Sequence, residues 1–212
     1  MDLINYLTKE YGYREPILLE DLTDELSNIS ASSLRQKLKR LVDREVIYRF
    51  ENGIYFIPNP NSLLKTKTLS VEKVLEKKHI IKNNNRIGYV SGLAFANSLQ
   101  LTTQVPSKIE IVTMKEARTK RTVTYKNNSI ILRKPRLAIN NDNYKILQVL
   151  DLVNKYEEYI ETPAKNTNEK ILAYLEGNNI TKKELYNYLK NYPTKTYKNI
   201  LESGLYDEIT QR

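Results

Sequence analysis

Apolar residues recur along the first sixty positions with two different periods. Leu3, Ile4 and Leu7 fall at helical spacing and predict a helix from Met1 to Tyr11, with Pro16 separating it from the next element. The segment "ILLEDLTDELS" then places Leu19, Leu22 and Leu26 at i, i+3 and i+7, which predicts a second helix. Ser27-Asn28-Ile29-Ser30 is rich in turn formers. A third helix is expected to start at a serine N-cap near Ser30, with Ala31, Leu34, Leu38, Leu41 and Val42 inward. The period then drops to two over Tyr48–Glu51. "YRFENGIYFIP" reads as two aromatic strands around Asn52-Gly53, the strongest short hairpin signal, because a type I′ turn needs positive φ at both central residues. That turn sets Phe50 opposite Tyr55 and Tyr48 opposite Ile57.

The polar positions of the third helix carry the chemistry. At about 100° per residue the apolar stripe centres between Leu34 and Leu38. Ser32, Ser33, Gln36, Lys39 and Arg40 fall on the opposite face, with Arg35 and Lys37 on the flanks. Short hydroxyls and an amide lie near the N-terminus, and cations succeed them. A recognition helix enters the major groove by that end, so small polar groups meet base edges while Lys and Arg reach phosphates. The candidate DNA-binding residues are therefore Ser32, Ser33, Arg35, Gln36, Lys39 and Arg40, joined by Arg49 and Asn52 at the wing. A merely solvated basic face, or a module used for protein contact, is the competing explanation. The acidic segment before it, the three-helix spacing and the immediate hairpin favour DNA.

Past Pro60, "NPNSLLKTKTLS" reads as a polar connector and "SVEKVLEKKHIIK" as a helix from about Ser70 to Lys82. His79 within it is expected to be an ordinary surface or boundary residue. "KNNNR" forms a turn, and Ser91-Gly92 starts a helix carrying Leu93, Ala94, Ala96 and Leu99. Pro106 precedes a strand, "KIEIVT", and two more, "RTVTY" and "SIILRK", flank a turn at Asn127-Asn128. "NYKILQVLDLVNKYEEYI" is an amphipathic helix with Ile146, Leu147, Leu150 and Val153 inward, and three short helices end the chain. The expected class is α+β. A winged helix-turn-helix over 1–60 precedes a second domain over 61–212, mixed α/β to residue 140 and helical from 141.

Charge sharpens this division. The chain has 212 residues and a net charge of +9, unevenly spread. Residues 1–29 have two bases against seven acids; residues 61–140 have sixteen bases against four acids, a surplus of twelve. Such asymmetry suggests a polyanion or an acidic partner. Lys115, Arg118, Lys120, Arg121 and Lys126 crowd one loop and strand and are candidates for contact with either. The absence of cysteine excludes disulfides and thiolate sites, and a single histidine argues against zinc sites and imidazole-based triads. No Gly-rich phosphate loop or HExxH motif is present, so neither a catalytic site nor a cofactor is expected. No apolar run approaches membrane-spanning length and the N-terminus does not read as a signal peptide, so a cytoplasmic, non-membrane protein is expected.

One stretch carries a resemblance. Tyr89-x-Ser91-Gly92, then small apolar residues, "LTTQVP" (101–106) and a strand ending at Thr113 resemble the AbiEi antitoxin family of type IV toxin–antitoxin systems. The preceding three helices and hairpin, and the helical tail, agree with that family's layout. The resemblance implies a bifunctional protein. Its first domain would repress its own operon at inverted repeats of double-stranded DNA, as a monomer or weak dimer in solution. Its second, over 61–212, would be an antitoxin domain that counteracts a cognate nucleotidyltransferase-like toxin, directly or indirectly. The alternative is a winged-helix transcriptional regulator whose C-terminal region dimerises or senses a ligand, with no toxin.

Overall fold

A computed structural model describes residues 2–61 and 68–211, so the 62–67 stretch of the connector lies outside the described residues. The chain is an α+β protein divided into two compact units, the first reaching Lys78 and the second beginning at His79. The first unit thus extends beyond the expected boundary at residue 60. Leu69, Val74 and Leu75 are buried, and Lys73 pairs with Glu15, so the segment after the connector belongs to the first unit.

The first unit runs α1 (Leu3–Tyr11), β1 (Ile17–Leu18), α2 (Leu19–Glu25), α3 (Ala31–Asp43), β2 (Tyr48–Glu51), β3 (Ile54–Phe56) and α4 (Val71–Leu75). Leu7, Ile17, Leu22, Leu26, Leu34, Leu38, Ile47, Tyr55 and Ile57 form its core. Two expectations need correction. The second helix begins only at Leu19. Ile17 pairs with Tyr55 and Leu18 with Ile54, which makes β1 an edge strand of an antiparallel sheet ordered β1-β3-β2. Two residues carry no periodicity, so this strand leaves no pattern in the sequence. The hairpin register also slips: Glu51 faces Ile54, but beyond an irregularity at Phe50 the pairs are Arg49 with Tyr55 and Tyr48 with Phe56. Gly53 has φ +75° while Asn52 does not share the left-handed region, so the turn is not type I′.

Leading into the second unit, a π-helical turn (Glu76–Ile80) that begins in the first runs to the short hairpin β4 (Ile81–Lys82) and β5 (Asn85–Arg86). The expected helix to Lys82 therefore stops early, before the Asn83-Asn84 turn, where both residues have positive φ. A four-stranded mixed sheet comes next, ordered β6 (Gly88–Ser91), β7 (Ile109–Thr113), β9 (Asn128–Arg133), β8 (Arg121–Tyr125), with β7 and β9 parallel. Helix α5 (Gly92–Ser98) links β6 to β7. The β8–β9 turn is centred on Lys126-Asn127, one residue earlier than expected, with Lys126 at φ +54°.

The predicted amphipathic helix is α6 (Tyr144–Val153), with a separate turn α7 (Tyr156–Tyr159). Every residue from Ile146 to Val153 is buried, so α6 is covered all round rather than on one face. The tail accounts for this, folding as α8 (Ala164–Tyr174), α9 (Lys182–Leu189), α10 (Thr194–Glu202) and α11 (Leu205–Thr210). Ile171, Leu185, Leu189, Ile200 and Leu205 join α6 in one core, and Tyr192 donates its hydroxyl to the Leu147 carbonyl at 3.1 Å.

His79 is 4% exposed, correcting the expected surface placement, and its Nε2 lies 2.9 Å from the Tyr125 hydroxyl. Burial beside a hydrogen-bonding phenol was not readable from a histidine that directly follows two lysines.

Candidate nucleic-acid interface

Helix α3 has strong local reasons to form. Ser30 accepts a hydrogen bond from the Ser33 amide at 3.2 Å, and no glycine or proline interrupts the thirteen residues of the helix. Leu34 and Leu38 are fully buried, each contributing about 2 kcal/mol by removal of apolar surface from water. Those two leucines fix the rotation of the helix. Ser32, Arg35, Gln36, Lys37, Lys39 and Arg40 are consequently exposed, and Ser33 is half-buried at the cap.

The Ser32 hydroxyl lies 3.1 Å from that of Ser30, so it is tied to the cap while remaining at the surface. At the hairpin tip, Arg49 donates to the Asn52 side-chain oxygen at 2.7 Å and to the Glu51 carbonyl at 3.4 Å. Arg49 and Asn52 therefore form one polar pair rather than two independent donors.

A surface groove runs between the starts of α2 and α3 and the hairpin turn. Arg35, Asn52 and Gly53 line it together with Glu20, Thr23 and Asp24. This groove brings the α3 and hairpin candidates onto a common rim. The two carboxylates there escaped notice in the sequence, where the leucines of α2 give the only pattern. They make the rim mixed in sign, whereas the outer face of α3 carries the cations Lys39 and Arg40 beside Gln36.

In the second unit the five cationic candidates separate. Lys115, Arg118, Lys120 and Arg121 sit between β7 and the start of β8, whereas Lys126 lies at the other end of β8, roughly 16 Å away for five extended residues. Arg121 donates to Glu116 at 2.7 Å, so its charge is already matched.

The Tyr-x-Ser-Gly stretch proves to be a packing device. Tyr89 and Ser91 alternate on one face of β6, the face of Glu110, whose register partner is Ser91, and of Arg133, whose partner is Val112. Arg133 donates to Glu110 at 2.5 Å, to Asp151 of α6 at 2.9 Å and to Ser91 at 3.2 Å, while Tyr89 donates to Asp151 at 3.0 Å. Burial raises the Asp151 carboxyl pKa even though Arg133 opposes it. Burial also disfavours the Arg133 charge, but Asp151 and Glu110 outweigh it and hold that pKa up. Gly92 takes φ +65°, where the Glu110 side chain approaches to within 3.6 Å of a notional β-carbon. The "TTQVP" turn is likewise held from within: Glu161 accepts from the Thr103 amide and from the Gln104 side chain, both at 2.8 Å.

These features describe an α+β protein with a small helix-and-hairpin unit, a polar and cationic helix face, and a separate mixed unit. The chain belongs to the DUF6088 family, a family of unknown function, whose profile matches residues 13–182. No curated protein matches it.

Proposed function

We propose that the first unit is a winged helix-turn-helix that reads double-stranded DNA with α3, and that the protein represses transcription, including that of its own operon. One observation carries this reading. Leu34 and Leu38 turn Gln36, Lys39 and Arg40 outward together, beside a hairpin whose tip presents Arg49 and Asn52. Gln36 is suited to an adenine edge, Arg35 and Arg40 to guanine or phosphate, and Ser32 to either. The Ser30 cap and the buried leucines that orient α3 support this reading. The test is an electrophoretic titration of the fragment upstream of the coding sequence over a range of salt. Replacing Lys39 and Arg40 by Ala is expected to weaken binding and lower the salt slope by about 1.8, at about 0.9 for each phosphate no longer neutralised. Unchanged affinity and slope would refute the assignment.

The resemblance at Tyr89–Thr113 supports a fuller reading, in which the second unit is an antitoxin of a type IV system acting in the cytoplasm. Among the described residues no helix is long and apolar enough to cross a membrane, so a membrane site of action has no support from a spanning helix. Co-expression with the neighbouring reading frame tests this. Growth arrest by that frame alone, relieved by this chain, is the expected result; arrest that this chain does not relieve would refute it.

A further inference from the structure

The positive surplus of the chain is concentrated away from the helix assigned to base reading. Residues 111–140 hold eight lysines and arginines and one acid, Glu116, so thirty residues account for seven of the nine net positive charges. That acid faces inward. It is 5% exposed, and its carboxylate accepts from the Arg118 amide at 3.0 Å and from the Arg121 side chain at 2.7 Å. Burial pushes its pKa up, but these hydrogen bonds and the Arg121 charge prevail and keep it ionised below the usual carboxylate range.

The same contacts order the loop after β7. The Glu116 amide bonds to the Thr113 carbonyl at 3.1 Å, and the Lys134 amide bonds to the Arg118 carbonyl at 3.2 Å, joining the loop to the end of β9. Arg118, Lys120 and Lys134 are exposed on this ordered backbone. We propose that this end of the sheet, where β7 and β9 finish and β8 begins, binds the phosphate backbone of duplex DNA through Arg118, Lys120 and Lys134 without reading its sequence.

Three observations favour duplex phosphate over other anions. Protein interfaces centre on an apolar, aromatic-rich core, and this end exposes one large apolar side chain, Met114, whose sulfur accepts from the Ile139 amide. Single strands are gripped by exposed aromatic rings, and Tyr125, the one aromatic of residues 111–140, is buried against His79. What remains is a set of point charges on a fixed backbone, the chemistry of phosphate contact. Phosphate binding at this end is independent of whether α3 reads bases.

The experiment is a fluorescence anisotropy titration of the full-length protein with a random-sequence 20-base-pair duplex at 50 and 200 mM salt. The triple variant Arg118→Gln, Lys120→Gln, Lys134→Gln is expected to bind more weakly, with a salt slope smaller by about 2.7. Over that fourfold salt range the parent then loses roughly 40-fold more affinity than the variant, at the same value per phosphate. Lys120→Arg with Lys134→Arg is expected to retain the parental slope. Should the triple variant melt early, Lys120→Gln alone serves, with an expected decrease of about 0.9. An unchanged slope would overturn the proposal, as would binding a single strand or polyglutamate as tightly as the duplex. Failure here is separable from failure of the α3 reading. Weakening at this end of the sheet falls equally on every sequence, whereas loss of the base contact assigned to Gln36 alters discrimination between sequences.

Discussion

Arg133→Met is the substitution that probes the second unit most sharply. It preserves much of the side-chain volume but removes the guanidinium that joins Asp151, Glu110 and Ser91. Asp151 is left nearly fully buried, its side chain 3% exposed, with the hydroxyls of Tyr89 and Ser91 at 3.0 and 3.5 Å and the Arg136 charge as the remaining groups that favour its ionised form. Breaking a buried pair by removing one partner costs about 3–5 kcal/mol. Arg133 and Glu110 retain 22% and 19% side-chain exposure, so some charge is still solvated and the lower end, about 3 kcal/mol, is expected. For a unit of this size that is a fall of about 10 °C in its melting temperature.

The pH dependence has a definite sign. Burial already raises the Asp151 pKa, and losing the guanidinium raises it further. A folded-state acid with a raised pKa takes up its proton before the unfolded chain does. The deficit of the variant is therefore full above that folded value and shrinks as pH falls through it. Urea unfolding at pH 7 and pH 5, followed by a probe of the second unit, measures both effects. Adding Asp151→Asn is expected to restore most of the stability. A deficit below about 1 kcal/mol at pH 7, or one independent of pH, would refute this reasoning.

Gly88→Ala is expected to destabilise the same unit by about 3 kcal/mol, because an added β-carbon would lie 2.2 Å from the His79 carbonyl and 2.6 Å from that of Val112, both backbone atoms. A urea midpoint within error of the parent would show that the strand can shift to make room. The Thr103 amide hydrogen bond holds the Glu161 carboxyl down to about 2 from the usual 4.5, with the Gln104 side chain assisting. Its support of the 102–104 turn is thus complete above the unfolded value of 4.5 and is lost as pH falls through about 2. The Thr103 amide resonance should titrate accordingly, and a midpoint above about 4 would contradict it.

Much of the first unit was legible in the chain because its signals are local. The serine cap at Ser30, the 3.6 period through Leu34 and Leu38, and the glycine at the hairpin tip each act within a few residues. The two-residue strand at Ile17 was not legible, since it exists only through its pairing with Tyr55 and Ile54. The slip at Phe50 had a similar origin in tertiary packing, because Phe50 is buried and the strand bends to place it. In the second unit, α6 showed one apolar face, yet the sheet and the tail between them cover the whole helix. Gln148 and Asp151 are buried on the side that meets the sheet, and each finds partners distant in sequence: Gln148 donates to the Val90 carbonyl at 2.6 Å and accepts from Tyr174 at 2.5 Å. The motif at Tyr89 could be seen but not interpreted, because Asp151 and Arg133 lie far away in sequence. The Lys115–Lys126 candidates were grouped by sequence proximity, which a strand running between them undoes.

Selection of bound duplexes from a random library decides whether α3 reads bases. If α3 reads bases, the full-length protein should enrich a defined half-site, repeated in inverted orientation with centres about one helical turn or a multiple apart. Gln36→Ala should then relax the preference at one base pair, at a cost of about 1–3 kcal/mol in discrimination. Enrichment of no sequence, or of one unaltered by replacing both Gln36 and Arg40, would contradict it.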